Sequence, residues 1–226
     1  DELRFVLESF SMKPAAMLIL QILFFGENGS MQQAAEFQVR DGQLIGARQI
    51  PSPNFNQRPQ QTEIQLLVIH NISLPPSQFG GGYIEQFFQN QLDWSVHPYF
   101  QTIEGMQVST HLLILRTGEV LQFVNFNDRA WHAGRSTYLG KKECNDYSIG
   151  IELEGSDDLP FATAQYEALV KVTACLQDYY PKIQQHIAGH SDIAPGRKTD
   201  PGPYFNWADF RTQLQHYKNT SNSLAG

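Results

Sequence analysis

The segment Gly189-His190-Ser191-Asp192-Ile193-Ala194-Pro195-Gly196-Arg197-Lys198-Thr199-Asp200-Pro201-Gly202-Pro203 gathers a histidine, two carboxylates and two cations among backbone-fixing Gly and Pro residues. It is too polar for a core element and too stiff for a linker, so it reads as a site. His190 offers a neutral imidazole nitrogen and Asp200 an anionic oxygen, two of the donor types that Zn²⁺ accepts. Catalytic zinc sites use three protein ligands and leave the fourth position to water. The third candidate is His70, which ends the apolar run Leu66-Leu67-Val68-Ile69, because the end of a buried strand holds a ligand rigidly. Plainer readings stand beside these. A lone histidine at a strand end is more often a hydrogen-bonded structural residue, and an Asp before Pro can simply start a turn. Spacing alone does not choose between them.

A carboxylate of another kind lies upstream. Glu152 is flanked by Ile151 and Leu153, where an unpaired charge is costly. Burial raises a carboxyl pKa and suits it to accept a proton near neutral pH. A paired structural glutamate is the alternative, and Glu154 shares the same strand face by alternation. Trp131-His132 on a loop has the makings of a stacking platform for a sugar ring or a peptide. His111 is given a structural hydrogen bond, since three zinc ligands are already in place.

The elements that must carry these residues are readable in outline. Residues 50–59 are Pro-rich and extended, and 63–70 form a short apolar run suited to a central strand. Residues 75–82 are a mobile loop by composition, and 83–92 have helical spacing. Residues 108–116 and 119–126 bracket Thr117-Gly118 as a hairpin. A strand follows over 147–153, the longest helix over 163–180 and ending at Pro181, a brief strand over 186–188 and a last helix over 207–217. The fold class is therefore α/β or α+β, a single domain whose mixed central sheet is flanked by helices. The strand order does not follow from the sequence.

Bulk properties limit the choices. The chain has 226 residues, 41% hydrophobic and 17% charged, enough for one globular domain with some extra chain. A formal net charge of -7 argues against a nucleic-acid binder, whose counterion release needs a basic surface. Cys144 and Cys175 lack CxxC spacing and favour a reduced compartment, with one disulfide between them left open. Residues 1–45 read as an N-terminal extension outside the catalytic domain. The apolar run 15–25 within it is well short of the ~20 residues of a membrane span. It imitates a signal peptide only weakly, with acidic residues upstream and no clean cleavage site. The domain is placed at 46–218, and 219–226 are read as a flexible, frayed tail.

Several blocks occur in an order that identifies a family. They are Val68-Ile69-His70-Asn71-Ile72-Ser73-Leu74-Pro75-Pro76, Phe79-Gly80-Gly81, His97-Pro98-Tyr99-Phe100, Val108-Ser109-Thr110-His111, Arg129-Ala130-Trp131-His132-Ala133-Gly134 and Ser148-Ile149-Gly150-Ile151-Glu152-Leu153-Glu154-Gly155, followed by the 189–203 loop. From about residue 46 to about 211 the chain resembles the bacterial 1,6-anhydro-N-acetylmuramyl-L-alanine amidases of the AmpD type. More distantly it is similar to phage amidases and peptidoglycan recognition proteins. The resemblance implies one Zn²⁺ per chain held by His70, His190 and Asp200, with Glu152 as general base and Lys198 facing the carbonyl oxygen. It implies a small muropeptide substrate, cut between the lactyl group of 1,6-anhydro-N-acetylmuramic acid and L-alanine during cell-wall recycling. Asn71, Trp131, His132 and Arg197 are the candidate substrate contacts, with Lys141 and Lys142 as further candidates for peptide carboxylates. A cytoplasmic monomer is expected, with neither nucleic acid nor membrane as partner. The rivals are a periplasmic amidase brought to intact wall by the N-terminal apolar run, and a module that binds peptidoglycan without cutting it.

Overall fold

Alternation along two central strands sorts the chain into a packing side and a chemical side. A computed structural model describes residues 37–224. Its strands are β1 (Gln38–Arg40), β2 (Gln43–Ile45), β3 (Arg48–Gln49), β4 (Phe55–Gln57), β5 (Leu66–Ile72), β6 (Leu112–Ile114), β7 (Val120–Gln122), β8 (Asp128–Ala130), β9 (Thr137–Tyr138), β10 (Lys141–Lys142), β11 (Ser148–Glu154) and β12 (Ile187–Gly189). The α-helices are α1 (Tyr83–Phe88), α2 (Pro98–Thr102), α3 (Thr163–Tyr179), α4 (His190–Ile193) and α5 (Trp207–Leu224). The main sheet has six strands in the order β12-β5-β11-β6-β7-β3. β12, β5, β11 and β6 run parallel, and β7 turns back antiparallel to β6, as the hairpin reading expects. The expected α/β class with a mixed central sheet is borne out.

Leu66 to Ile69 are fully buried, which is why β5 reads as an unbroken apolar run. Leu67, Ile69, Ile149, Ile151 and Leu153 face the main core with Leu169, Val172 and Leu176 of α3 and Phe210 and Leu214 of α5. Residues of the other parity, among them His70, Ser148, Gly150 and Glu152, face the opposite way. Gln165 anchors the start of α3. Its Oε1 accepts from the Ala162 N–H at 3.0 Å, and its Nε2 donates to the carbonyls of Ile114 (3.1 Å) and Glu154 (3.0 Å). The first bond satisfies a donor that the helix leaves open, and the others tie the helix to the ends of β6 and β11. Arg58, in the extended lead-in, donates to the carbonyls of Phe126, Asn145, Asp146 and Ser148, and burial pulls its guanidinium down to about 10.

Several expected boundaries are corrected. The sequence places residues 37–45 in the extension, yet β1 and β2 form a hairpin, and Phe37 just before it and Leu44 within it belong to the main core. The Leu44 N–H donates to Gln122 Oε1 at 2.7 Å, and Gln122 Nε2 returns a bond to the Gly42 carbonyl at 3.0 Å. The rest of the expected extension, with its apolar run at 15–25, lies outside the described residues. α5 does not end at 217 before a frayed tail but continues to Leu224. Lys218 Nζ donates to Gln177 Oε1 of α3, and Thr220 and Ser221 hydroxyls donate to carbonyls four residues back. α1 stops at Phe88 rather than 92, because Asn90 takes a left-handed φ of 59° and exchanges side-chain bonds with Asn54. Among the described residues, no helix is long and apolar enough to cross a membrane.

Leu44 is fully buried, so Leu44→Ala is expected to lower stability by about 2–5 kcal/mol in urea unfolding. An unchanged midpoint would return the hairpin to a dispensable appendage.

Candidate active site

β5 and β11 bring the first two groups together. They pair in parallel with Glu152 opposite His70, so both side chains leave the same face of the sheet side by side. β12 runs along the other edge of β5 and delivers Gly189, after which His190 opens α4. The Ser191 N–H donates to the Asp200 carbonyl at 2.9 Å, which closes the loop and returns Asp200 beside His190. A Cβ on Gly189 would lie 2.8 Å from Pro201 Cδ, so the close approach of the two loop ends requires glycine there.

His70 Nδ1 stands 2.9 Å from His190 Nδ1, and each of these atoms is 3.0 Å from Asp200 Oδ2. The other nitrogen of His190 lies 3.0 Å from the Ala133 carbonyl, which can only accept, so the ring proton is on Nε2 and the Nδ1 lone pair faces the cluster. Burial pushes the His70 imidazole down to about 4, leaving it neutral at physiological pH. Two imidazoles and a carboxylate converging in this way form a donor set that fits a metal ion.

A cavity of about 390 Å³ opens over the cluster, with Glu152, His190, Lys198 and Asp200 at its polar end. Glu152 Oε2 is buried without a hydrogen-bond partner. Burial, reinforced by the nearby Asp200 charge and opposed by Lys198, holds its carboxyl well above the usual range. The apolar wall includes Tyr99, Ile103, Met106 and Val108, to which the sequence reading gives no role in the site.

Residues 60–203 match the N-acetylmuramoyl-L-alanine amidase family. The chain belongs to this family. The 1,6-anhydro-N-acetylmuramyl-L-alanine amidase AmpD of Haemophilus influenzae is 53% identical over 178 residues, spanning 78% of this chain and 97% of that protein. A crystal structure of a selenomethionine derivative of AmpD matches with a TM-score of 0.76 at 51% identity, covering 77% of this chain and 98% of that one. The Escherichia coli amidase AmiD in complex with the substrate anhydro-N-acetylmuramic acid-L-Ala-D-gamma-Glu-L-Lys matches with a TM-score of 0.50 at 28% identity, covering 78% and 65% of the two chains. The resemblance drawn from the motifs is borne out.

The amidase separates its two strand glutamates by environment. Glu154 is buried and fully engaged: Oε1 accepts from the Gly80 N–H at 2.5 Å and Oε2 from the Arg116 N–H at 3.0 Å. Those bonds, with Arg116 stacked 4.6 Å over Phe79, anchor the loop that composition alone marks as mobile. Of the two, it is Glu152 that lines the cavity and keeps an uncommitted oxygen.

The four candidate substrate contacts divide. Asn71 and Trp131 line the cavity. Asn71 spends its amide protons on Asp157 Oδ1 (2.8 Å) and the Pro201 carbonyl (3.1 Å), which leaves its own oxygen available. Trp131 Nε1 donates to Asn56 Oδ1 at 2.6 Å. His132 touches the cavity, but both its ring nitrogens are taken, by His70 Nε2 (2.9 Å) and Ser148 Oγ (3.1 Å). Arg197 lies outside the cavity lining and grips the carbonyls of Ala133 and Arg135. Lys141 is stacked 4.0 Å over the Tyr147 ring, and neither it nor Lys142 lines the cavity. His111, expected to be structural, accepts the Gly150 N–H at Nδ1.

Because Glu154 satisfies two backbone donors, Glu154→Ala is expected to cost about 1–3 kcal/mol and to expose residues 73–82 to limited proteolysis. A cleavage pattern identical to that of the unaltered protein would remove the anchoring role.

Proposed function

We propose that the chain is a zinc-dependent muropeptide amidase, hydrolysing the bond between the lactyl carbonyl of 1,6-anhydro-N-acetylmuramic acid and the nitrogen of L-alanine. The observation that carries this reading is the unpartnered buried oxygen of Glu152 in the same cavity as His190 and Asp200, which converge with His70 at 2.9–3.0 Å. The AmpD and AmiD relatives support the substrate class. His70, His190 and Asp200 would hold the metal. When bound, zinc supplies Lewis acidity, which polarises a carbonyl and makes water a nucleophile near neutral pH.

The remaining chemistry belongs to the chain. Water oxygen adds to the lactyl carbonyl carbon, the C–N bond breaks, and the products are a carboxylate and the free amine of the peptide. Glu152 takes the proton released by the attacking water and passes it to the departing nitrogen, a role suited to its raised pKa. The Lys198 ammonium faces the oxygen on which negative charge develops, and losing such a charge typically costs ~10²- to 10³-fold in rate. Asn71, through its free oxygen, and the Trp131 ring are the groups we assign to substrate contact. The apolar wall shields the reacting end from solvent. Two free thiols, Cys144 and Cys175, accord with action in the cytoplasm.

The test uses the purified 226-residue chain and a synthetic anhydro-muropeptide, with the non-anhydro analogue in parallel. Release of the free peptide amine should stop on chelation and return with zinc, and the anhydro substrate should be preferred. Undiminished turnover after exhaustive chelation would sink the proposal. Glu152→Gln is expected to reduce kcat by about 10²- to 10⁴-fold. The same substitution should raise Tm at neutral pH in metal-free protein. A carboxyl whose folded pKa lies above its unfolded value favours folding most at low pH, and that contribution is lost as pH rises through the folded value. A lower Tm at neutral pH would contradict the desolvated state of Glu152.

A further inference from the structure

Hydrogen-bond polarity can be followed from the protein interior to the metal-ligand cluster. The Ser148 hydroxyl donates its single proton to the Cys144 carbonyl at 2.6 Å. Towards His132 Nε2, 3.1 Å away, Ser148 Oγ therefore accepts, and Nε2 carries the proton. A neutral His132 then has a bare Nδ1, which accepts from His70 Nε2 at 2.9 Å. That bond fixes the His70 proton on Nε2 and leaves its Nδ1 lone pair facing His190 and Asp200. The adjacent residue serves the second ligand, since the Ala133 carbonyl accepts from His190 Nε2 at 3.0 Å.

The surroundings hold this dipeptide in place. Asn145 Oδ1 accepts both the His132 and Ala133 N–H groups, at 3.2 and 2.8 Å. Arg197 Nη2 shares the Ala133 carbonyl at 2.6 Å. A Cβ on Gly150 would lie 2.5 Å from His132 Cγ, so the imidazole occupies space that any side chain at 150 would fill. Ser148, Gly150 and Glu152 follow one another on one face of β11, so the strand that carries the proposed base also seats the ring behind the ligand.

We propose that His132-Ala133 sets the tautomers of both histidine ligands, His132 acting as a positioning residue through His70 Nε2 and the Ala133 carbonyl through His190 Nε2. The inference rests on the reading of His70, His190 and Asp200 as metal ligands. It reassigns His132 from substrate contact to ligand support and gives Ser148 the role of holding the His132 ring in the required tautomer. Partners of this kind orient a ligating imidazole and raise its basicity.

The experiment measures zinc affinity of the full chain by competition with a chromophoric chelator. His132→Leu keeps the ring's approximate volume and removes the acceptor, and should weaken zinc binding by about 10- to 100-fold. His132→Asn places an amide oxygen where Nδ1 was and should recover most of that loss. Rescue of this kind separates positioning from space-filling. In the unaltered protein, long-range ¹⁵N spectra should show His132 protonated at Nε2 and bare at Nδ1, a readout that requires no variant to fold. Zinc affinity unchanged in folded His132→Leu, or a proton found on His132 Nδ1, overturns the inference and leaves the metal site standing. An unaltered protein that takes up no zinc overturns the metal-site reading, and this inference with it.

Discussion

The register of β5 against β11 is the constraint on which the site depends. Because side chains alternate across a sheet, a slip of one residue would turn Glu152 away from His70 and bring Ile151 into the cavity. Packing guards the register. Ile149, Ile151 and Leu153 are buried against the long helices, and moving them to the other face would strand apolar area in a polar pocket. Arg58 adds a second check by gripping the Ser148 carbonyl at the start of β11. The hydrophobic effect, which has no interest in catalysis, thus holds the chemical groups at working distance.

A second dependence runs through backbone carbonyls. The Asp200 carbonyl receives Ser191, closing the 189–203 loop, and the Ala133 carbonyl receives both His190 and Arg197. A carbonyl has two lone pairs, so Ala133 can orient the His190 ring while being fixed by the guanidinium. Arg197, whose charge suggests a partner in solution, is engaged inside the protein. The positive groups near the cavity are therefore not interchangeable: Lys198 lines it, whereas Arg197 supports its frame.

Much of this was legible in the sequence. The unbroken run before His70, the helix over 163–179 and the dense loop at 189–203 each carried a local signature, and the family blocks supplied the connections between them. What was not legible depended on distant partners. Glu152 and Glu154 are equivalent by alternation and are distinguished by Gly80 and Arg116, which lie 74 and 38 positions from Glu154. The two contacts of His132 lie 62 and 16 positions away, and no spacing rule reaches them. The hairpin at 38–45 consists of two three-residue strands, too short to show a period, and its membership of the core depends on Gln122. The last turns of α5 lack an apolar stripe and are supported by hydroxyls and a lysine, which composition reads as a tail.

The two-sided sheet has a consequence for altering the molecule. Leu67, Ile69, Ile149, Ile151 and Leu153 face the long helices, whereas His70, Ser148, Gly150 and Glu152 face the histidine and carboxylate cluster, the His132 ring behind it or the cavity. Efforts to toughen the enzyme can be confined to the former, where volume-conserving swaps leave the reaction centre untouched. Diversification for new amide substrates belongs instead to the segment around Tyr99, Ile103 and Met106, which borders the cavity but contributes nothing to the central strands.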